Sequence, residues 1–248
     1  MFTPEHRNQL RAALIARPHT DERIPSAALT GSASVDAEDA WSDIDLALSV
    51  ADDADYQQVV ADWTEHMYRA YGAVHHLDVF RGTTLFRVFL LPNTLQVDLA
   101  FWPAAEFGAI APTFRLLFGT ANEQPMSPAP AAAASIGMAW LYALHARSSI
   151  ARGRVWQAEY MLSAMRDQVL ALMCLRHGVP AVQGRGIDRL PPQATAGVSA
   201  ALVRSLDVAE LKRAFGVVSE ALIDEIQHVD LDLASRLAAL LRELPSVQ

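Results

Sequence analysis

The sequence predicts an α+β protein in which an N-terminal mixed-sheet domain is followed by an all-helical bundle domain. The first half alternates short apolar runs of strand character with helical patterns, and the second half carries only long helical patterns. Between Asn122 and Ala134 lies NEQPMSPAPAAAA, a stretch with three prolines. We therefore expect one domain over residues 1–121 and another over residues 131–248, joined by a short semi-rigid linker.

The first half is predicted to contain two helices and six strands. Residues 3–17 form the first helix, with Thr3 as N-cap and Pro4 at the first helical position. An amphipathic pattern predicts the second helix from Asp53 to about Tyr71. The predicted strands are SAALTGS, DIDLALSV, AVHHLDVFRG, TLFRVFLLPN, LQVDLAFW and FRLLFG.

The second half is predicted to consist of helices and one loop. Helical patterns cover residues 133–151 and 154–177, and Gly178 ends the second of them. QGRGIDRLPPQATAG is predicted to be loop. Asp207 and Glu210 suggest a capping box for a helix to about Gln227, and Asp230 suggests the start of a final helix.

The negative charge is concentrated in the first half of the chain. Residues 1–120 contain 16 Asp and Glu against 8 Arg, whereas residues 121–248 contain 12 of each sign, so the net charge of −8 lies in the first part. A surface that binds a nucleic-acid backbone needs clustered positive charge, so a nucleic-acid partner is disfavoured. A metal ion or a cationic small molecule is favoured.

Composition indicates a soluble globular protein of the cytoplasm. Hydrophobic residues make up 52% of the chain and charged residues 19%. We expect no signal peptide and no membrane partner, because no segment has the apolar run that either needs. Cys174, the single cysteine, cannot form an intrachain disulfide and is expected to be a small buried side chain.

Two carboxylates one residue apart are the first sign of a site. On a strand, Asp43 and Asp45 point to the same face, while Ile44 and Leu46 face the core. Like charges this close repel each other unless a cation lies between them. Carboxylate oxygens suit Mg²⁺, whose coordination is usually completed by substrate phosphates.

Three further residues extend this pattern to phosphoryl chemistry. Gly31 lets the backbone approach a phosphate closely, and Ser32 can donate a hydrogen bond to it. Asp98 is an isolated acid in another apolar strand and is the candidate third carboxylate. The acids of the intervening loop are expected to be solvated rather than ligands; they are Asp36, Glu38 and Asp39.

Together these residues resemble the nucleotidyltransferases of the DNA polymerase beta superfamily. The resemblance rests on Gly31-Ser32, on Asp43-Ile44-Asp45-Leu46 eleven residues later, and on Asp98. In the second half, RSSIARGRVWQAEYMLSAMRDQVLALMCLRHG is similar to the helical segment of aminoglycoside and lincosamide nucleotidyltransferases.

The resemblance implies transfer of a nucleoside monophosphate, AMP from ATP, to a hydroxyl group with release of pyrophosphate. Asp43, Asp45 and Asp98 would hold two Mg²⁺ ions, and Asp98 could accept the proton of the attacking hydroxyl. Gly31, Ser32 and Ser42 would contact the nucleotide. Glu159 and Arg166, seven residues apart on one helical face, could reach the substrate across an interdomain cleft, although ordinary surface roles remain open.

The acceptor remains open at the level of sequence. An acidic catalytic half would attract a polycation, which favours an aminoglycoside-like antibiotic as the hydroxyl-bearing small molecule. One alternative is a toxin–antitoxin type nucleotidyltransferase that modifies a protein or RNA. Another is a catalytically silent nucleotide-binding regulator. The oligomeric state is not predicted.

Overall fold

The computed structural model describes residues 1–126 and 130–246. The chain divides into two compact units, Met1–Ser127 and Pro128–Gln248. The first contains a six-stranded sheet with helices and the second contains helices, which confirms the predicted α+β fold class. The predicted proline-rich linker lies partly outside the described residues. None of the described helices combines the length and the apolar character needed to cross a membrane.

The sheet of the first unit is mixed, with the strand order β3-β4-β5-β2-β1-β6. β2 and β5 run parallel, and the four other neighbouring pairs are antiparallel. The strands are β1 (Ser26–Thr30), β2 (Ile44–Val50), β3 (His75–Arg81), β4 (Thr84–Leu90), β5 (Gln96–Pro103) and β6 (Phe114–Phe118). All six predicted strands are present.

Two helices cover one face of this sheet. They are α1 (Pro4–Ala16) and α2 (Tyr56–Tyr71). Thr3 caps α1 as predicted, because its side chain accepts a hydrogen bond from the backbone nitrogen of His6. The core between helices and sheet includes Leu14, Trp63, Met67, Ile44, Leu46 and Leu99, all buried. Because side chains alternate along a strand, the residues between these core positions face the other way.

The opposite face of the sheet carries small residues at its centre. Ala28, Ala47 and Ala100 lie on the neighbouring strands β1, β2 and β5 and are buried beside Trp102 and Phe107. Asp45 and Asp98 share this face, one alternation before Ala47 and Ala100. The carboxylates therefore lie at the rim of a small apolar patch.

The second unit has its own core, and its described residues form five α-helices around it. They are α3 (Ala132–Ala151), α4 (Val155–Arg176), α5 (Pro192–Ser199), α6 (Val208–Val229) and α7 (Leu231–Glu243). Gly178 ends α4 in the left-handed region, at φ 66°, and Cys174 is buried in the core. Asp230 caps α7 as predicted, accepting a hydrogen bond from the backbone nitrogen of Leu233 at 2.9 Å.

Two predictions for the second unit are wrong. Part of the predicted loop is the helix α5, which begins with Pro192 at its first position. The predicted capping box does not form, because the side chain of Asp207 makes no capping hydrogen bond. Glu210 instead accepts a hydrogen bond from the backbone nitrogen of Arg204 at 3.0 Å and pairs with Arg213 at 2.7 Å.

Candidate active site

Strand pairing brings the three predicted carboxylates to one place on the sheet. Asp45 on β2 is in register with Asp98 on the parallel neighbour β5, so their side chains leave the same face side by side. Asp43 comes just before β2 and interacts electrostatically with Asp98. Ile44 and Val97, which alternate with them, are buried on the helix-covered face. The acids thus cluster where β2 and β5 begin.

Asp98 is the most perturbed of these acids. Its Oδ1 is buried and has no hydrogen-bond partner among the described residues. Burial, together with the neighbouring Asp43 carboxylate, raises the pKa of Asp98 to about 6. A buried acceptor without a donor is uncommon in folded proteins and calls for an explanation, and a bound cation would supply one.

Asp43 lies at the more open end of the cluster. It is partly exposed, and its Oδ2 accepts a hydrogen bond from Nε2 of Gln96 at 3.1 Å. Gln96 is two residues before Asp98 on β5 and so shares its face. Gln96 was not predicted as a site residue, although its spacing from Asp98 could have indicated it.

The Gly31-Ser32 turn lies directly against Asp45. β1 ends at Thr30, and Gly31 opens a short 3₁₀ turn with φ 61°, a left-handed conformation that favours glycine. A Cβ at position 31 would overlap Oδ2 of Asp45. A hydrogen bond from Ser34 Oγ to the Gly31 carbonyl, at 2.8 Å, holds the turn. Glycine here lets the backbone approach the carboxylate cluster closely.

We expect Gly31→Ala to lower the free energy of unfolding by about 2–3 kcal/mol, because it combines a left-handed backbone with an overlap at Asp45. Gly82→Ala is the matched control. Gly82 has φ 60°, and no atom lies within 4 Å of the position that a Cβ would occupy there. The control should lose only about 1 kcal/mol. Urea unfolding of both variants measures the difference, and equal losses would contradict the close approach.

Ser42 and the loop acids take part in local structure. Ser42 Oγ donates to Asp39 Oδ1 at 3.1 Å and accepts from the Asp39 backbone nitrogen at 2.9 Å. Asp36 forms an ion pair with Arg115 at 2.8 Å. Glu38 was expected to be solvated, but it is largely buried and forms ion pairs with Arg7 and Arg11. That expectation is wrong for Glu38, because two arginines of α1 compensate its charge.

The carboxylates of this cluster could hold a divalent metal. The oxygens of Asp43, Asp45 and Asp98 are ligands that Mg²⁺ prefers, and the buried Oδ1 of Asp98 needs a partner. Across residues 1–126 and 130–246, no three His, Cys, Asp or Glu side chains form a ready-made metal site. Mg²⁺ commonly uses one or two carboxylates and completes its coordination with phosphate and water oxygens.

The predicted substrate residues Glu159 and Arg166 both lie on α4 of the second unit and are partly exposed. Glu159 Oε1 accepts a hydrogen bond from Ser163 Oγ at 2.6 Å. Arg166 Nη2 is 3.6 Å from Oδ1 of the exposed Asp167. Glu159 and Arg166 therefore each contact a residue of α4 that lies no more than one helical turn away.

The chain shows a structural likeness to known proteins but no match by sequence. No protein-family model matches the sequence. No curated protein matches it either. Among solved structures, the chain is similar to the crystal structure of an aminoglycoside 6-adenyltransferase from Bacillus subtilis, with 13% identity and a TM-score of 0.39 over 98% of this chain and 99% of that one. At this identity and TM-score, the likeness assigns no function to the chain.

Proposed function

We propose that this protein is a metal-dependent nucleotidyltransferase. It would move a nucleoside monophosphate, AMP from ATP, to a hydroxyl of a small molecule and release pyrophosphate. The observation that carries the proposal is the carboxylate cluster: Asp45 and Asp98 lie in register on one sheet face, Asp43 is close enough to raise the pKa of Asp98, and the Gly31 backbone touches Asp45.

Asp43, Asp45 and Asp98 would hold the metal, which we propose to be Mg²⁺. Two ions would be bound when the triphosphate is present. When bound, such ions neutralise phosphate charge and stabilise the entering and leaving oxygens of an in-line displacement. Repulsion among the carboxylates is costly without a cation, which is why a cluster like this one indicates a cation-binding site.

The turn after β1 would bind the phosphates. Gly31 has no side chain to block an approaching phosphate, and the N–H groups that begin the 3₁₀ turn can donate to it. Ser32 would add its hydroxyl. Ser42, whose own hydroxyl bonds to Asp39, would contact the nucleotide from the other end of the loop.

Asp98 would also act on the acceptor. Its carboxylate would take the proton from the attacking hydroxyl. The hydroxyl oxygen would form a bond to the α-phosphorus, while the bond between the α-phosphorus and the oxygen that bridges to the β-phosphate breaks. Pyrophosphate leaves with the electron pair of that bond. The other residues bind and orient the reactants, and such positioning supplies much of the rate in phosphoryl transfer.

The acceptor is proposed to be cationic and aminoglycoside-like. Residues 1–120 carry a net charge of −8, and a negative field concentrates cationic substrates. In this proposal residues 1–121 form the catalytic domain, and residues 131–248 form the substrate-binding domain. Glu159 would bind a positive group of the acceptor or serve as an auxiliary base, and Arg166 would bind phosphate.

The test is pyrophosphate release with Mg²⁺, each of the four common NTPs, and a panel of aminoglycosides, lincosamides and simple polyols. We expect release that depends on one acceptor and disappears in Asp43→Asn. Nucleotide binding without release across the panel would contradict transfer to a small molecule and favour a protein acceptor or a regulator.

A further inference from the structure

A buried arginine of the first helix contacts the loop that carries Asp43. Arg7 lies on α1 and is only 3% exposed. Its Nη1 donates to the carbonyl oxygen of Asp39 at 2.5 Å and to that of Ser42 at 3.3 Å. Burying a guanidinium is costly unless its charge and its donors are matched, so these contacts need to persist in the folded state.

The part of the loop that Arg7 contacts is a closed turn. Asp39 Oδ1 accepts hydrogen bonds from the backbone nitrogen of Trp41 at 2.8 Å and from Ser42 Oγ at 3.1 Å. Arg7 bonds to the carbonyls at both ends of this turn, which therefore forms one unit with α1. Trp41, at its tip, is 74% exposed, so packing of this side chain does not hold the turn.

The charge of Arg7 is balanced by Glu38 rather than by the candidate site. Arg7 Nε is 3.3 Å from Glu38 Oε1, and Arg11, one turn further along α1, pairs with the same oxygen. Among the described residues, Arg11 pairs with Glu38 and donates to Asn8 Oδ1 at 3.4 Å rather than to the carbonyls of Asp39 or Ser42. The two arginines thus share one carboxylate, but Arg7 is the one that reaches the loop backbone.

We propose that Arg7 is a positioning residue for the candidate active site. The peptide that links Ser42 to Asp43 is planar, so holding the Ser42 carbonyl oxygen fixes the direction in which Asp43 leaves the loop. Arg7 thereby keeps the Asp43 carboxylate beside Asp98 despite their repulsion. This inference rests on the proposed function for its catalytic meaning, but its structural part concerns the order of the loop alone.

The planar fork of arginine is what this role requires. A lysine at position 7 could pair with Glu38, but its compact ammonium group cannot reach that carboxylate and both carbonyls with the same geometry. The equivalent change at Arg11 keeps the ion pair between this side chain and Glu38. Arg7→Lys and Arg11→Lys are therefore a matched pair of identical substitutions on one helix.

The test is hydrogen exchange followed by mass spectrometry on the full-length wild-type protein and on both lysine variants. We expect Arg7→Lys to raise exchange at least tenfold in peptides covering residues 39–45, with the other sheet peptides unchanged. Arg11→Lys should match the wild type. Arg7→Met, which keeps a long side chain without any donor, serves if the lysine variant does not fold, and should show the same local increase.

Activity provides the second readout. In Arg7→Lys we expect the Mg²⁺ concentration at half-maximal pyrophosphate release to rise about tenfold, with a smaller change in the KM for the acceptor, because a merely structural role would not single out the metal. The inference is overturned if residues 39–45 of the Arg7 variants exchange hydrogen at the same rate as in the wild type. A wild-type protein that releases no pyrophosphate contradicts the proposed function instead, and exchange still decides the role of Arg7.

Discussion

Replacing Asp43 by asparagine is expected to lower acceptor-dependent pyrophosphate release by about a thousandfold, which corresponds to about 4 kcal/mol of lost transition-state stabilisation. The amide keeps the size of the side chain and can still accept the hydrogen bond from Gln96 Nε2. It removes one of the charges that would hold the metal. The melting temperature without metal should therefore remain within a few degrees of the wild-type value.

Asp53→Asn is the control for this experiment. Asp53 is exposed in the turn that follows the other end of β2, so the same chemical change is made outside the carboxylate cluster. It should leave the rate unchanged. A large fall in the melting temperature of Asp43→Asn, or a loss of activity shared with the control, would count against the metal-binding role of Asp43.

Asp98→Asn is expected to stabilise the metal-free protein above pH 6. Burial and Asp43 raise the pKa of Asp98 from 3.8 to about 6, so ionising this group costs free energy in the folded state. The shift corresponds to about 3 kcal/mol, which we reduce to about 1–3 kcal/mol because the side chain is partly accessible to solvent. The measurement is urea unfolding in EDTA at a series of pH values.

The sign of this effect follows from proton binding. Between about pH 4 and pH 6 the folded protein binds more protons at Asp98 than the unfolded chain does, so the wild-type stability contributed by this group falls as the pH rises. Below pH 4 both states are protonated, and the wild type and Asp98→Asn should differ little. A variant less stable than the wild type at pH 8, without metal, would show that the Asp98 carboxylate is favourably solvated or paired.

Bound metal should stabilise the wild type more than Asp98→Asn. A cation that binds the folded wild type and not the unfolded chain adds stability that grows with the logarithm of its concentration above the dissociation constant. At pH 8 we expect Mg²⁺ with a non-hydrolysable ATP analogue to raise the stability of the wild type more than that of Asp98→Asn. The two Asp98→Asn experiments together separate repulsion among carboxylates from metal binding.

Local patterns predicted most of the fold because each element carries its own signal. Alternation in DIDLALSV placed Asp45 opposite the core-facing Ile44 and Leu46, and Thr3 with Pro4 marked the start of α1. The strand order was not predictable, since it depends on pairing between distant segments. The parallel pairing of β2 with β5 is the feature that brings Asp98 to Asp45.

The errors in the second unit arise where one local signal is compatible with two structures or competes with a neighbouring residue. The proline-containing stretch around Pro192 predicts a loop, but proline is also favoured at the first position of a helix, which is its place in α5. Asp207 and Glu210 have the spacing of a capping box, but Arg213 and the Arg204 backbone nitrogen hold Glu210. The contacts of Glu210 with Arg213 and the Arg204 backbone therefore take the place of its capping contact.

The candidate site was predicted as far as its acids and its glycine turn, because those residues stand out against apolar strands. Arg7 was not predicted, since an arginine on an amphipathic helix is usually a surface residue. Only the fold shows that its guanidinium is buried against the loop that carries Asp43. Long-range contacts between side chain and backbone leave no periodic signal in a sequence.

The most direct test of the central claim, that Asp43, Asp45 and Asp98 bind a catalytic metal, is equilibrium binding of Mn²⁺ followed by electron paramagnetic resonance. The titration is made at pH 7.5 with a non-hydrolysable ATP analogue, on the wild type, on the three single Asp→Asn variants and on Asp53→Asn. We expect the wild type and Asp53→Asn to bind Mn²⁺ equally and each cluster variant to bind at least tenfold more weakly. Equal binding by all five proteins, or no binding by the wild type, would contradict the account.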